Sequence, residues 1–158
     1  MRSLVLFGLV LALCTSCNKR KYAAATEYND KVIRFVEQSD RAMKVWNSNN
    51  FMQEYMIKKH NTVMRLLNMQ DSLANTEPLT GDDTLRQAAI MMVENYIESF
   101  VVFDTIYAIL SDSTYYPEDS IRIHELLSSN RNMLQQQGNN FVETQKRFAI
   151  RHDLPFVE

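Results

Sequence analysis

Two cysteines, three histidines and a few paired carboxylates are the residues of this chain whose types could carry chemistry. Cys14 and Cys17 have the CxxC spacing of a redox pair or a haem attachment site. Asn18 stands where the haem site needs histidine, and both thiols close a short apolar run that cannot present a folded dithiol. No cysteine follows Cys17, so the rest of the chain can form no internal disulfide. The residues three before His60, His124 and His152 are Ile57, Ile121 and Ala149, which removes the Glu-x-x-His pattern of di-iron bundles. His124-Glu125 opens like HExxH, but Ser128 occupies the position of the second zinc ligand.

The other signals have structural explanations. His60 falls near an apolar stripe, where a core or boundary histidine is ordinary, and His124 and His152 read as surface residues. Asp82-Asp83 and Glu118-Asp119 precede apolar-periodic segments, where acids complement a helix dipole. Met52, Met56, Met64, Met69, Met91 and Met92 could bind soft metals or line an adaptable cavity, but methionine at helical spacing reads first as core. Nucleophile elbows, phosphate-cradling loops and dinucleotide fingerprints are absent from a sequence with 3 glycines. The chain therefore reads as non-enzymatic, with no cofactor and no metal.

The first residues have a different logic. Arg2, the apolar run 4–13 and the small residues Thr15 and Ser16 follow the order of a secretory signal, expected over 1–16. The run is about 10 residues, half the roughly 20 that span a bilayer, and Lys19, Arg20 and Lys21 end it. Leu13-Cys14-Thr15-Ser16-Cys17 resembles the bacterial lipobox, with Cys14 where leucine is commonest. The resemblance implies that Cys17 becomes the mature N-terminus and carries diacylglycerol and palmitate-type chains. Residues 17–22 are then a lipidated tether, whose three basic side chains add on the order of 1 kcal/mol each against anionic headgroups.

The remaining residues, 23–158, are long enough for one domain with a core, and the net charge of −2 over the whole chain implies no nucleic-acid partner. Pro78, Pro117 and Pro155 fall only where helices could start or stop. Val32, Val36, Met43 and Trp46 mark the stripe of a first helix from Ala23 to near Trp46. Asn50 and Gln53 read as a capping box for a second helix over 51–74, with Met52, Met56, Val63, Leu66, Leu67 and Leu73 inward. A continuous helix through 47–50 is the alternative.

Pro78, Gly81 and two aspartates predict a loop over 75–83. A third, most apolar helix to about Leu110 then presents Leu85, Ala89, Met92, Tyr96, Phe100, Phe103, Ile106 and Leu110. Pro117 with Glu118 and Asp119 opens a fourth helix that runs to Arg151. Its inward residues Ile123, Leu127, Leu134, Phe141 and Phe148 are interrupted by Asn130, Gln137, Gly138 and Gln145, which predicts loose packing or a kink near Gly138. Four helices with short connections predict an all-α, antiparallel up-down-up-down four-helix bundle. In such a bundle Trp46, Phe51, Tyr115 and Tyr116 fall at the end away from the N-terminus, a candidate aromatic tip for a partner, or simply a lid on the core.

Tyr28-Asn29-Asp30-Lys31-Val32-Ile33 and Arg147-Phe148-Ala149-Ile150-Arg151-His152 resemble segments of small helical lipoproteins of Bacteroidetes-type bacteria. The resemblance implies a place rather than an activity: a Gram-negative envelope and the outer membrane, facing the periplasm because no acidic stretch follows Cys17. The expectation is a membrane-anchored interaction or scaffold module that meets an envelope protein. The alternative is a small-ligand or lipid carrier with a cavity between the helices.

Overall fold

The computed structural model describes the backbone at 2–47, 54–79 and 81–156, and side chains at 20–46, 54–79 and 81–156. Four helices follow one another: α1 (Arg2–Asn47), α2 (Tyr55–Ala74), α3 (Thr84–Ser111) and α4 (Pro117–Arg151). Cross-links fix their directions. Trp46 at the end of α1 meets Tyr55 at the start of α2, and Lys59 near that start reaches Asp104 late in α3. Arg151 at the end of α4 meets Asp82, just before α3. The helices therefore run up, down, up and down, as the short connections predict. Among the described residues the only non-helical pairing is an isolated bridge between Leu79 and Asp82.

The core follows from periodicity. On α1, Ala25, Tyr28, Val32, Val36, Ser39, Ala42, Met43 and Trp46 are buried, a stripe at three- and four-residue spacing. Ser39 is wholly buried without being orphaned, because its hydroxyl donates to the Phe35 carbonyl at 2.9 Å and lies 3.2 Å from Met69 Sδ. α3 supplies the largest share, with Leu85, Ala89, Val93, Ser99, Phe100, Phe103 and Ile106 buried, and it packs against each of the other three helices.

Several sequence expectations are corrected. Helix one does not begin at Ala23: α1 is continuous helix from Arg2, through 17–22. α2 begins at Tyr55 with Glu54 as its cap residue, rather than at Phe51. The Asn50–Gln53 capping box, Phe51 and Met52 lie outside the described residues. Met56 and Leu67 point outward, and so does Leu110, because tyrosine and threonine at 55 and 62 take the inward positions on α2 and α3 frays out of the core at its end. His60 is exposed rather than at the boundary, whereas His152 is drawn in against Phe148, with ring centroids 4.5 Å apart. α4 is one helix through Gly138, whose absent Cβ would meet nothing within 4 Å.

The connections are closed by side chains. Gly81 takes a positive φ of 83°, where a side chain would be strained. Arg86 donates to the Ala74 and Thr76 carbonyls at 2.7 and 3.0 Å, satisfying acceptors that the end of α2 leaves open. Pro117 opens α4, and the Tyr116 backbone N–H donates to Asp119 Oδ2 at 2.9 Å.

Candidate ligand groove between the first and last helices

The bundle is not closed equally on all sides. α4 lies along α3, and its backbone stays away from α1 and α2. At the lower end Tyr28 of α1 still reaches Phe148, with ring centroids 5.6 Å apart. Higher up, α4 offers little to bury. Between Pro117 and Phe141 its one buried residue is Asn130, because the apolar stripe is broken there by amides and glycine. What remains between α1 and α4 is an open groove of roughly 680 Å³.

Its lining divides by chemistry. Met43, Phe103, Leu127 and Leu134 supply apolar surface. Lys44 on α1 and Arg131 on α4 stand on opposite walls, and among the described residues neither is paired with a carboxylate. Asp40 faces the same space beside Gln135, and its Oδ1 accepts a hydrogen bond from the Tyr96 hydroxyl. Burial and this contact with Asp40 push the Tyr96 phenol far above its usual range, so it remains a donor at neutral pH.

The most informative atom is Oδ1 of Asn130. The residue is only 7% exposed, and Oδ1 has no hydrogen-bond partner. A buried unsatisfied acceptor costs about 1–3 kcal/mol, a cost the fold carries beneath the groove surface. Asn130→Leu keeps the branched shape of the side chain and removes that cost. The variant is expected to gain about 1 kcal/mol, seen as a melting temperature a few degrees higher in thermal unfolding followed by circular dichroism. A melting temperature lowered by several degrees would mean that the amide is satisfied.

The residues singled out in the sequence are distributed differently. Trp46 is 6% exposed and forms edge contacts with Tyr55 and Phe100 at 5.4 and 4.9 Å, so it closes the upper end of the core. Tyr115 and Tyr116 are at that end but exposed, with the Tyr115 hydroxyl 2.7 Å from Ser120 Oγ. Phe51 lies outside the described residues, as do the Cys17 side chain and its surroundings. Met56, Met64 and Met91 are exposed, while Met43 belongs to the core. Among the described residues no three histidines, cysteines or carboxylates gather as a metal site.

Sequence patterning missed a second polar centre at the lower end. The Asp82 side chain is 3% exposed. Its Oδ1 accepts from the Thr84 N–H and hydroxyl at 3.1 and 2.7 Å, while Oδ2 accepts from Arg151 and lies 3.1 Å from His152 Nε2. Burial opposes the charge, but the Thr84 and His152 hydrogen bonds and the Arg151 charge outweigh it and hold the carboxyl below its usual range. Arg151 and His152 are nearly 70 positions away in sequence, so only the closed fold brings them to Asp82. The cluster joins the end of α4 to the α2–α3 connection.

Among the described residues no helix is long and apolar enough to cross a membrane. Compared with known protein families, curated proteins and solved structures, the chain matches none.

Proposed function

We propose that this chain is a lipid-anchored protein of the cell envelope whose helical bundle is a non-enzymatic binding module, holding a small amphipathic ligand between α1 and α4. The observation that carries the proposal is the open groove between α1 and α4, with apolar walls and two cationic side chains, Lys44 and Arg131, that have no carboxylate partner among the described residues. Its volume lies within the range of small-molecule sites, and apolar walls with a few polar groups are the usual composition of such sites. Of the two functions open from sequence, an open groove of this size and lining favours the carrier over the pure scaffold. Anchorage at Cys17, on the periplasmic side of an outer membrane, rests on the order Arg2, apolar run, Thr15-Ser16-Cys17 and on the basic residues that follow.

The exposed pair Tyr115 and Tyr116 supports a second contact, with an envelope protein at the end away from the anchor. In that case the double alanine variant loses crosslinks without a change in melting temperature.

Anchorage is tested by intact mass of the membrane-extracted chain. A mature protein starting at Cys17 with added acyl mass, lost in Cys17→Ala, is the expected result. An unacylated chain cut elsewhere would overturn the anchor and make the bundle a freely diffusing carrier.

A further inference from the structure

Resting on that reading of the groove, we propose that its ligand is a single-chain carboxylate, with the carboxylate head held by Lys44 and Arg131 and one aliphatic tail laid along the apolar wall. The lining sets the sign of the head. Lys44 on α1 and Arg131 on α4 are solvent-exposed, face the groove from opposite walls and have no carboxylate partner among the described residues. Asp40 is the one carboxylate in the lining, and it already accepts a hydrogen bond from the Tyr96 hydroxyl. Two cations against one anion leave a single positive charge. One monoanion balances it, whereas a phosphate monoester at about −1.5 to −2 overshoots it and an ammonium head is repelled. The planar guanidinium of Arg131 also suits a carboxylate, whose two oxygens can accept parallel N–H bonds.

The remaining wall assigns the tail. Met43 and Phe103 are buried residues of the core that reach the groove, and Leu127 on α4 lines it while staying exposed. No helix covers this strip, because the α4 backbone packs on α3 and stays away from α1. The lining runs along α4 from Leu127 to Gln135, about 12 Å at 1.5 Å per residue. An extended chain advances roughly 1.3 Å for each C–C bond of about 1.5 Å, so that length takes about ten carbons.

The test is photo-labelling of the full chain in phospholipid nanodiscs with a ten-carbon carboxylate that bears a diazirine on its tail, followed by peptide mass spectrometry. Mapping the label to residues separates groove binding from partition of the probe into lipid. Label is expected on 40–44 and 127–135, displaced by decanoate and not by acetate at the same concentration. Probes of equal length ending in an alcohol, an ammonium or a phosphate should label these segments more weakly, the ammonium at least about tenfold. Lys44→Gln with Arg131→Gln removes both charges and keeps most of each stem. The double variant should lower groove labelling by the carboxylate at least about tenfold, at an unchanged melting temperature. If the variant melts lower, the comparison of heads on the wild type decides alone.

Labelling that a folded double variant leaves intact, or that another head equals, overturns the carboxylate and leaves the groove a binding site. Displacement by acetate as strong as by decanoate overturns the tail. Absence of label from 40–44 and 127–135 with every probe overturns the ligand and the reading of the groove together.

Discussion

Trp46→Ala is expected to cost about 3–5 kcal/mol of folding free energy, lowering the melting temperature by roughly 10–20 °C. The indole is almost fully buried and touches three rings, Tyr55, Phe100 and Phe103, from two other helices. Its loss removes a large apolar area and the edge contacts that aromatic pairs prefer, and leaves a cavity where α1, α2 and α3 meet. Neighbours cannot collapse into it easily. Tyr55 is held by its hydroxyl, which donates to Asp104 at 2.7 Å, and by stacking on Tyr107 with ring centroids 4.3 Å apart. The comparison that gives the result meaning is Tyr115→Ala with Tyr116→Ala, where both rings are exposed and the loss should stay under about 1 kcal/mol. Thermal and urea unfolding of both variants check this. Equal losses would mean that the exposed tyrosines are part of the core, against their placement.

Asp82→Ala is the second large effect, expected at about 2–4 kcal/mol. It removes four hydrogen-bonding contacts at once and deprives the first turn of α3 of the acceptor for the Thr84 N–H. It also unlatches α4 from the α2–α3 connection. The same residue predicts a pH dependence. Its folded-state pKa is lowered from 3.8, so its stabilisation is present above that value and is lost as pH falls through 3.8 and below. Asp83 and Asp104 shift in the same direction, through Arg86 and through Lys59 with Tyr55, each against the opposing effect of burial. Urea midpoints between pH 7 and 3 should fall towards acid in the wild type and fall less in Asp82→Ala. Parallel curves would remove Asp82 as a source of acid sensitivity.

The sequence made the helices legible wherever local chemistry and periodicity agreed. Pro117 with two acids marked the start of α4 to the residue, and Pro78 with Gly81 marked the connection before α3. Leu85, Ala89, Phe100, Phe103 and Ile106 were recognisable as core because burial on both sides of a helix leaves few polar interruptions. The start of α2 was not legible, since asparagines cap a helix and also tolerate its interior.

The groove was half legible. Asn130, Gln137 and Gly138 showed that α4 packs loosely, but whether an amide in an apolar stripe finds a partner depends on the facing helix, which spacing does not reveal. Asp82 was legible only as a helix-start acid. Its partners at 151 and 152 come from the far end of the chain, and no local pattern announces them. His152 was misplaced for the same reason.

The continuity of α1 through 17–25 bears on how the proposed anchor would hold the bundle. Ala25 is the first buried residue of the helix among those with described side chains, so about eight residues, near 12 Å at 1.5 Å each, separate Cys17 from the core as a rod rather than a string. With acyl chains at Cys17, rotation of the rod would carry the whole bundle with it. A disordered linker of the same length would let the groove sample every direction and dilute its local concentration towards any one source. A rod anchored in this way would narrow the range of directions open to the groove, so that delivery to a fixed neighbour would become a question of bearing as much as of distance.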